Sequence, residues 1–297
     1  MKVKETSRRK KKDRGKVLLL FLKQNPMALS GAVVIAVSVL SSILVPILPI
    51  QDPFHQDLPN RLKPPSTDHL FGTDNYGRDL FSRIIWGGRI SLLVGIVSTI
   101  IGALIGVTLG VISGYFGRYV DAVIMRITDI LLSFPALLLS MAICAAIGSS
   151  VWNVIIAISI VTVPRFSRLV RGSTLSVKEA DFVEAARALG QNKTKIMFFH
   201  ILPNVFSIIL VMATLWIPAA IITEASLSFL GLGVMPPNPT WGNIINEGKS
   251  YLSDAPWISI SSGIIIVLVI MAFNFVGDAI RDAFDPRLRG EREIGRG

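Results

Sequence analysis

Long runs of uncharged, mostly apolar residues constrain the fold of this 297-residue chain more than any other feature. An apolar run of about 18 residues or more is long enough to cross a bilayer as a helix. Six candidate spans are present, at roughly 28–48, 90–113, 130–147, 151–164, 205–223 and 258–276. The sequence therefore predicts an all-α membrane protein with six transmembrane helices.

The third and fourth spans share one uncharged stretch, 130–164, which is too long for a single crossing. The Gly-Ser-Ser turn signal at 148–150 predicts a tight hairpin in its middle. The fourth span is short unless it continues past Pro164. Its arginines, Arg165 and Arg168, would then extend their charged ends to the membrane interface.

Basic residues are distributed unevenly over the segments that connect these spans. If the chain starts inside, 24 of its 30 Lys and Arg residues lie in inner segments and 6 in outer ones. The positive-inside rule therefore places both termini in the cytoplasm. The same rule accounts for the net charge of +10, because most of the basic residues lie on the cytoplasmic side. The charge therefore does not predict a nucleic-acid partner.

The chain begins with a basic cytoplasmic segment, 1–27, that is predicted to include an interfacial helix and to contact anionic membrane lipid. It does not resemble a cleaved signal. The single cysteine, Cys144, excludes an intrachain disulfide. The three histidines, His55, His69 and His200, lie on different segments. No metal site or other cofactor is predicted from this pattern.

Residues 51–89 form the first external segment, which starts rich in proline. Thr73 and Asp74 are candidate caps of a short helix that runs through Ile84. The charged residues of this helix are interpreted as a solvated surface with local ion pairs. They are Asp74, Arg78, Asp79 and Arg83.

Four glycines of the second span recur every fourth residue and so line one face of the helix. They are Gly102, Gly106, Gly110 and Gly114. Without side chains at these positions, another helix can approach to backbone contact. Packing within the chain and a moving or inter-subunit interface both fit this spacing.

Two residues inside the spans are candidates for a gate or for the transport pathway. Pro135 predicts a kink in the third span, because its ring removes a hydrogen bond and crowds the preceding turn. Glu224 lies near the outer end of the fifth span, where it is either hydrated or functional. The external loop that follows, 229–257, begins irregularly with proline and glycine.

A charged insert, 172–203, lies on the predicted cytoplasmic side between the fourth and fifth spans. Its segment "KEADFVEAARALG" favours a helix that ends at Gly190. Glu184 and Arg187 are spaced for an ion pair on one side of this helix. The opposite side carries a narrow apolar stripe that suits a groove in another protein. The stripe consists of Phe182, Ala185, Ala186 and Leu189.

A second helix is expected to follow, capped by Asn192 and running from Lys193 to about Leu202. Pro203 would then occupy the first turn of the fifth span. The insert thus predicts helix, glycine hinge, helix and membrane span. The residues alone leave three roles open for its first helix: docking to a partner, lying on the membrane surface, or packing on its own chain.

The segment "EAARALG", followed after 11 residues by "LP", resembles the cytoplasmic EAA loop of ABC importer permeases. The positions in register are Glu184, Ala185, Ala186, Gly190, Leu202 and Pro203. His200 replaces the isoleucine of the general pattern, and this variant resembles the peptide/nickel branch. By this resemblance, the positions that couple the chain to ATPases are Glu184, Ala185, Ala186, Arg187, Leu189 and Gly190.

Three further stretches resemble the oligopeptide/dipeptide permease subunit of C type: "FGTDNYGRDLFSRIIWGGRISLLVG", "EASLSFLGLGVMPPNPTWG" and "GDAIRDAFDPRLRG". The resemblance covers roughly 21–290 and implies the type I ABC importer permease fold. The core would extend over 90–276, followed by a cytoplasmic tail, 277–297. No Walker loop is present, so the chain is expected to be a non-catalytic subunit.

The resemblance also implies partners: a second permease subunit, two ABC ATPase subunits and an extracellular substrate-binding protein. The chain would form half of a pathway for dipeptides or oligopeptides in a bacterial or archaeal plasma membrane. Import of nickel or a nickel chelate is the alternative within this branch. An ion-coupled secondary transporter is disfavoured, because the spans carry almost no charge.

The predicted orientation can be tested with topology reporters. A reporter fused after Gly190 is expected to report a cytoplasmic location, and one fused after Pro237 an external location. Paired alkaline phosphatase and fluorescent protein fusions measure both sites in living cells. Exchanged signals at the two positions would overturn the orientation.

Overall fold

The computed structural model describes residues 25–284, and every structural statement refers to this range. In it the chain is helical, and Thr73 and Asp79 form an isolated β-bridge. In chain order the α-helices are α1 (Pro26–Leu44), α2 (Leu80–Phe116), α3 (Arg118–Leu132), α4 (Ala136–Ile147), α5 (Val151–Val177), α6 (Asp181–Ala188), α7 (Lys193–Ile196), α8 (Leu202–Phe229), α9 (Trp241–Gly248) and α10 (Trp257–Phe284). Most of the predicted basic segment, 1–27, and most of the predicted tail lie outside the described residues, and Pro26 and Met27 of that segment already belong to α1.

The long helices agree with the predicted spans in number and order. Five helical segments are long and apolar enough to cross a membrane, and the bent pair of α3 and α4 makes a sixth if it is one span. The turn at 148–150 separates α4 from α5 as predicted, with Ser150 capping α5. Because α5 continues to Val177, the fourth span does extend through its arginines.

The start of α2 corrects the prediction of a separate short helix in the external segment. One uninterrupted helix of 37 residues begins at Leu80. Its N-cap is Asp79, whose carboxylate accepts a hydrogen bond from the Ser82 amide at 2.8 Å. Thr73 is not a cap, because its hydroxyl donates to the Asn60 carbonyl oxygen at 2.6 Å. The helix thus begins about three turns before the apolar run of the second span.

The glycine face of α2 packs backbone against backbone on α5. A Cβ added at Gly106 or Gly110 would lie 2.6 Å from a carbonyl oxygen of α5. One added at Gly102 or Gly114 would lie 2.7 Å from a threonine Cβ of the same helix. Side chains cannot occupy such positions, so the four glycines set the distance between the two helices. Of the two interpretations left open by the spacing, the structure shows packing within the chain.

A buried cluster at the N-terminal end of α2 joins this helix to α9 and α10. Trp241 lies at its centre and is 2% exposed. The indole N–H of Trp241 donates to the Ile84 carbonyl oxygen at 3.0 Å, and the Ser262 hydroxyl donates to the Trp241 carbonyl oxygen at 2.8 Å. A tryptophan with its polar atoms satisfied in this way fixes three helices at one point.

The charged residues assigned by sequence to a solvated helix surface are instead buried in an ion network. Asp74 is 0% and Arg83 1% exposed, and Asp79 is buried as the cap of α2. The Asp74 carboxylate accepts from Arg78 Nε at 2.6 Å and from Arg83 Nη1 at 2.5 Å. Both arginines also donate to Glu247 of α9, at 2.8 Å and 2.6 Å. The network therefore holds the segment before α2 against α9.

Removing one arginine from this network should destabilise the protein strongly. Arg83→Ala leaves the buried Asp74 carboxylate with one cationic partner fewer, and breaking a buried pair costs about 3–5 kcal/mol. Arg89→Ala is the matched control, because Arg89 is exposed on the same helix. Thermal unfolding in detergent measures both variants. Equal apparent Tm values for the two would show that the network does not stabilise the fold.

The close contact between α2 and α5 at Gly106 leads to a prediction about the stability of two alanine variants. Gly106→Ala should destabilise the protein by about 1–3 kcal/mol, because its methyl group has no space beside α5. Gly172→Ala, on the partner helix, meets no atom within 4 Å and should be neutral or slightly stabilising. The difference in apparent Tm between these two alanine variants measures the contact. If Gly106→Ala were as stable as Gly172→Ala, the helices would not depend on it.

Candidate functional site

The helix α6 forms the first part of the charged insert, at the end of α5 that is remote from the ion network. Asp181 and Glu184 lie in its first turn and Arg187 in its last, which matches the polarity of a helix dipole. Gly190 follows with a φ of +74°, a conformation that glycine adopts readily. The Gly190 amide donates to the Arg187 carbonyl oxygen at 2.9 Å, so the helix ends where the sequence predicts.

One face of α6 packs on its own chain. Val183 is 0% and Ala186 4% exposed. Both belong to a buried apolar cluster formed with the membrane helices. The other members are Val111, Val170, Ile196, Met197, Ile201 and Val205. The cluster holds α6 against the ends of α2, α5 and α8.

The outward face of α6, defined by Phe182, Ala185 and Leu189, is exposed. Phe182 is 45% and Leu189 81% exposed. This arrangement corrects the predicted stripe, because Ala186 lies on the inner side with Val183 and not among the outward residues. Packing on the chain and a free apolar face therefore coexist on one short helix. Phenylalanine and leucine side chains exposed in this way are suited to contact with a partner.

The second helix of the insert does not stop at Leu202. A π-helical segment, Met197–Ile201, joins α7 to α8, so helical structure continues from Lys193 to Phe229 over 37 residues. Pro203 lies in the first turn of α8, as predicted. Because no loop separates the insert from the membrane helix, a displacement of the insert can be transmitted directly along α8.

A side-chain hydrogen bond crosses the glycine hinge. His200 Nε2 lies 2.8 Å from the Gln191 side-chain oxygen. Asn192 caps α7, with its side chain accepting from the Thr194 amide at 3.1 Å. The histidine that replaces isoleucine in the EAA pattern thus joins the residue after Gly190 to the start of the fifth span.

The predicted ion pair between Glu184 and Arg187 is not formed. Both side chains are exposed, and Arg187 turns towards the end of α2. Its guanidinium carbon lies 5.5 Å from the centre of the Tyr115 ring. Glu184 therefore remains on the surface of α6, where its charge is available to a partner.

Pro135 lies at a sharp break in the candidate third span. The axes of α3 and α4 meet at 90°, with Ser133, Phe134 and Pro135 between them. Pro135 precedes the first residue of α4, where its missing N–H costs no helical hydrogen bond. The predicted kink is therefore present, and it is large enough to separate two helices.

Glu224 is fully buried, which excludes the interpretation of a solvent-exposed side chain at the membrane exit. The Ser228 hydroxyl donates to its carboxylate at 2.8 Å. The hydroxyl groups of Ser91 and Thr240 lie on α2 and just before α9 and also face it. A buried carboxyl group surrounded by hydroxyls from several elements is a candidate functional position.

Arg165 is a polar residue whose environment the sequence did not reveal. Its guanidinium carbon lies 4.2 Å from the centre of the Trp216 ring, so α5 and α8 meet in a cation–π contact. A cavity of about 30 Å³ beside it is lined by hydroxyl groups of Ser140, Thr162 and Thr223. No acidic side chain within residues 25–284 forms an ion pair with Arg165. The aromatic partner lies 51 positions away and gives no local signal.

The described residues do not bring three or more His, Cys, Asp or Glu side chains together as a metal site. The candidate site is the region that the sequence predicts for coupling to a partner. It consists of the outward face of α6, the hinge at Gly190 and the two membrane helices that flank them.

Comparison with known proteins gives matches over most of the chain. The family model of the binding-protein-dependent transport system inner membrane component matches residues 106–290. A second model, the N-terminal TM domain of oligopeptide transport permease C, matches residues 17–65. These two regions include the EAA loop and the first candidate span.

Curated relatives match at nearly full length. The dipeptide transport system permease protein DppC of Alkalihalophilus pseudofirmus is 45% identical over 90% of this chain and 88% of its own. The glutathione transport system permease protein GsiD of Pectobacterium atrosepticum is 43% identical over 91% and 89%. A putative peptide transport system permease protein of Brucella suis is 41% identical over 88% of both chains.

The fold has solved counterparts. A chain of the methionine ABC transporter MetNI in an inward-facing conformation aligns with a TM-score of 0.58 and 18% identity, over 69% of this chain and 98% of that chain. A second crystal form gives a TM-score of 0.56 and 19% identity. The folds of the cores are therefore alike. This chain belongs to the family of binding-protein-dependent transport system inner membrane components.

Proposed function

We propose that this chain is a non-catalytic permease subunit of an ATP-driven importer of dipeptides or oligopeptides. The observation that carries the proposal is the outward face of α6, which is exposed on a helix joined by the short turn at Gly190 to the helix that continues into the membrane. The named substrates of similar permeases, dipeptide, glutathione and peptide, support this substrate class. None of these names refers to nickel, so peptide is preferred to the metal alternative.

The partners follow from what the chain lacks and what it exposes. It has no phosphate-binding Walker loop, so separate ATPase subunits must hydrolyse the nucleotide. A groove in such a subunit would receive Phe182 and Leu189, with Ala185 allowing close approach between them. A second permease would supply the other half of the pathway, and a binding protein would deliver the peptide at the external side.

The coupling mechanism is a displacement of helices. Nucleotide binding draws the ATPases together and moves α6, which is packed on the ends of α2, α5 and α8. Because α8 continues the insert without a loop, its tilt changes with α6. The permease then alternates between inward and outward access. Coupling is reciprocal, so the loaded binding protein outside should favour closure of the ATPases inside.

Pro135 and Glu224 are proposed as parts of the gate. The 90° break at Pro135 gives α3 and α4 separate directions, so they can reorient independently. Glu224 lies on α8, the helix that continues the insert, and faces hydroxyl groups of α2 and of the segment before α9. A tilt of α8 would exchange the hydroxyl groups that face Glu224. The external end of the pathway would then have two discrete arrangements.

The coupling role predicts a charge-reversal phenotype at Glu184. Glu184→Lys should abolish peptide uptake and reduce co-purification of the ATPases by about tenfold or more, because it places a cation on the outward surface of a docking helix. Glu179→Lys is the matched control: it makes the same charge change at an exposed position just before α6. Peptide uptake, membrane insertion and retention of ATPases on the tagged permease are measured for both.

A second variant tests the hinge. Gly190→Val places a branched side chain at a φ of +74° and should uncouple ATP hydrolysis from uptake, while the chain still inserts into the membrane. If both Glu184→Lys and Gly190→Val retained ATPases and transported normally, α6 would have no coupling role. If both variants retained the ATPases and the transporter took up a substrate class other than peptides, only the proposed substrate class would be wrong.

A further inference from the structure

A cleft of about 490 Å³ lies between the insert and the end of α2. Four elements surround it: α2, the end of α5, α6 and α7. Its lining residues are Tyr115, Phe116, Lys178, Arg187, Gln191, Lys193 and Ile196. The cleft thus adjoins the inner side of the coupling helix and leaves its outward face free.

Three cationic side chains converge on this cleft without an acidic partner. The Lys178 ammonium donates to the Gly114 carbonyl oxygen at 3.1 Å. Arg187 and Lys193 lie over the Tyr115 and Phe116 rings, at 5.5 Å and 5.8 Å from the ring centres. None of the three forms an ion pair with a carboxylate of the described residues. Aromatic faces and a carbonyl group are weak substitutes for a full negative charge.

A carboxylate that interacts electrostatically with Lys178 is already paired with another cation. Asp121 of α3 accepts from Arg171 Nη2 at 2.6 Å and also from the hydroxyl of Ser113. It does not line the cleft. Within residues 25–284 the three cations of the cleft therefore form no ion pair with a carboxylate, and an anion from outside can supply that negative charge.

The position of the cleft indicates the source of that anion. Phe116 is the last residue of α2, a helix that spans the membrane, and it is 44% exposed beside Tyr115. Aromatic residues at the end of a spanning helix mark the level of the lipid headgroups. In the proposed orientation this end faces the cytoplasm, where the leaflet surface is anionic and attracts basic side chains.

We infer that the cleft binds the phosphate group of an anionic phospholipid from the cytoplasmic leaflet. Lys178, Arg187 and Lys193 would surround the phosphate, and the rings of Tyr115 and Phe116 with Ile196 would contact the glycerol and upper acyl chain. The bound lipid would connect α2 to both helices of the insert. It would thereby hold α6 in position for its partner. The inference rests on the proposed orientation and coupling role.

The test is lipid binding to the complete transporter, measured by native mass spectrometry during titration with phosphatidylglycerol. Lys178→Gln with Lys193→Gln should weaken the tightest phosphatidylglycerol site about tenfold. Lys195→Gln is the matched control, because Lys195 belongs to the same short helix but does not line the cleft. Arginine at 178 and 193 should restore binding, which separates loss of charge from loss of structure.

Two further probes identify the ligand. Phosphatidylcholine should not occupy the site, and glycerol 3-phosphate or inorganic phosphate at millimolar concentration should displace little phosphatidylglycerol. Efficient displacement by the soluble phosphates would assign the cleft to a soluble anion and overturn the lipid source. Equal phosphatidylglycerol binding by the glutamine variant and the Lys195→Gln control would overturn the site itself. Peptide uptake is recorded separately, so an error in the proposed function would leave this binding result unaffected.

Discussion

The structure depends on the backbone contact between α2 and α5. Four glycines keep side chains out of the interface, and no residue larger than glycine fits where α5 atoms lie 2.6–2.7 Å from the added Cβ. The N-terminal end of α2 carries the ion network with Glu247, and the C-terminal end of α5, which lies beside the other end of α2, leads into α6. A closely packed pair of helices therefore separates two sites of interaction at opposite ends of the molecule.

The sequence predicted those parts that depend on local pattern. Apolar runs located the spans, the spacing of four identified the glycine face, and Gly190 has the positive φ expected after a helix. Each of these properties is decided within one continuous stretch of the sequence. The same is true of the EAA pattern, whose residues lie within 20 positions of one another. Its assignment to coupling, in contrast, comes from resemblance and remains a prediction.

The features that were missed depend on partners distant in sequence. Arg83 looked like a surface residue because its partner Glu247 is 164 positions away. Ala186 was assigned to the docking stripe, but it is buried on the inner side of α6. Helical periodicity identifies an apolar stripe, but it does not show which edge of the stripe contacts the membrane helices. The 90° break at Pro135 exceeded an ordinary kink, since proline can also start a new helix. In each case the tertiary environment outweighed the local preference.

The contact between Arg165 and Trp216 favours movement of α5 and α8 as a unit. A cation in a membrane span is costly unless a partner stabilises it, and here the described partner is an aromatic face 4.2 Å away. Sliding of α8 along α5 would remove that face from the guanidinium. Joint tilting keeps the contact intact. The helix α6 follows α5 in the chain and is linked to α8 through α7. A displacement of α6 is therefore more readily converted into a joint rotation of α5 and α8 than into their separation.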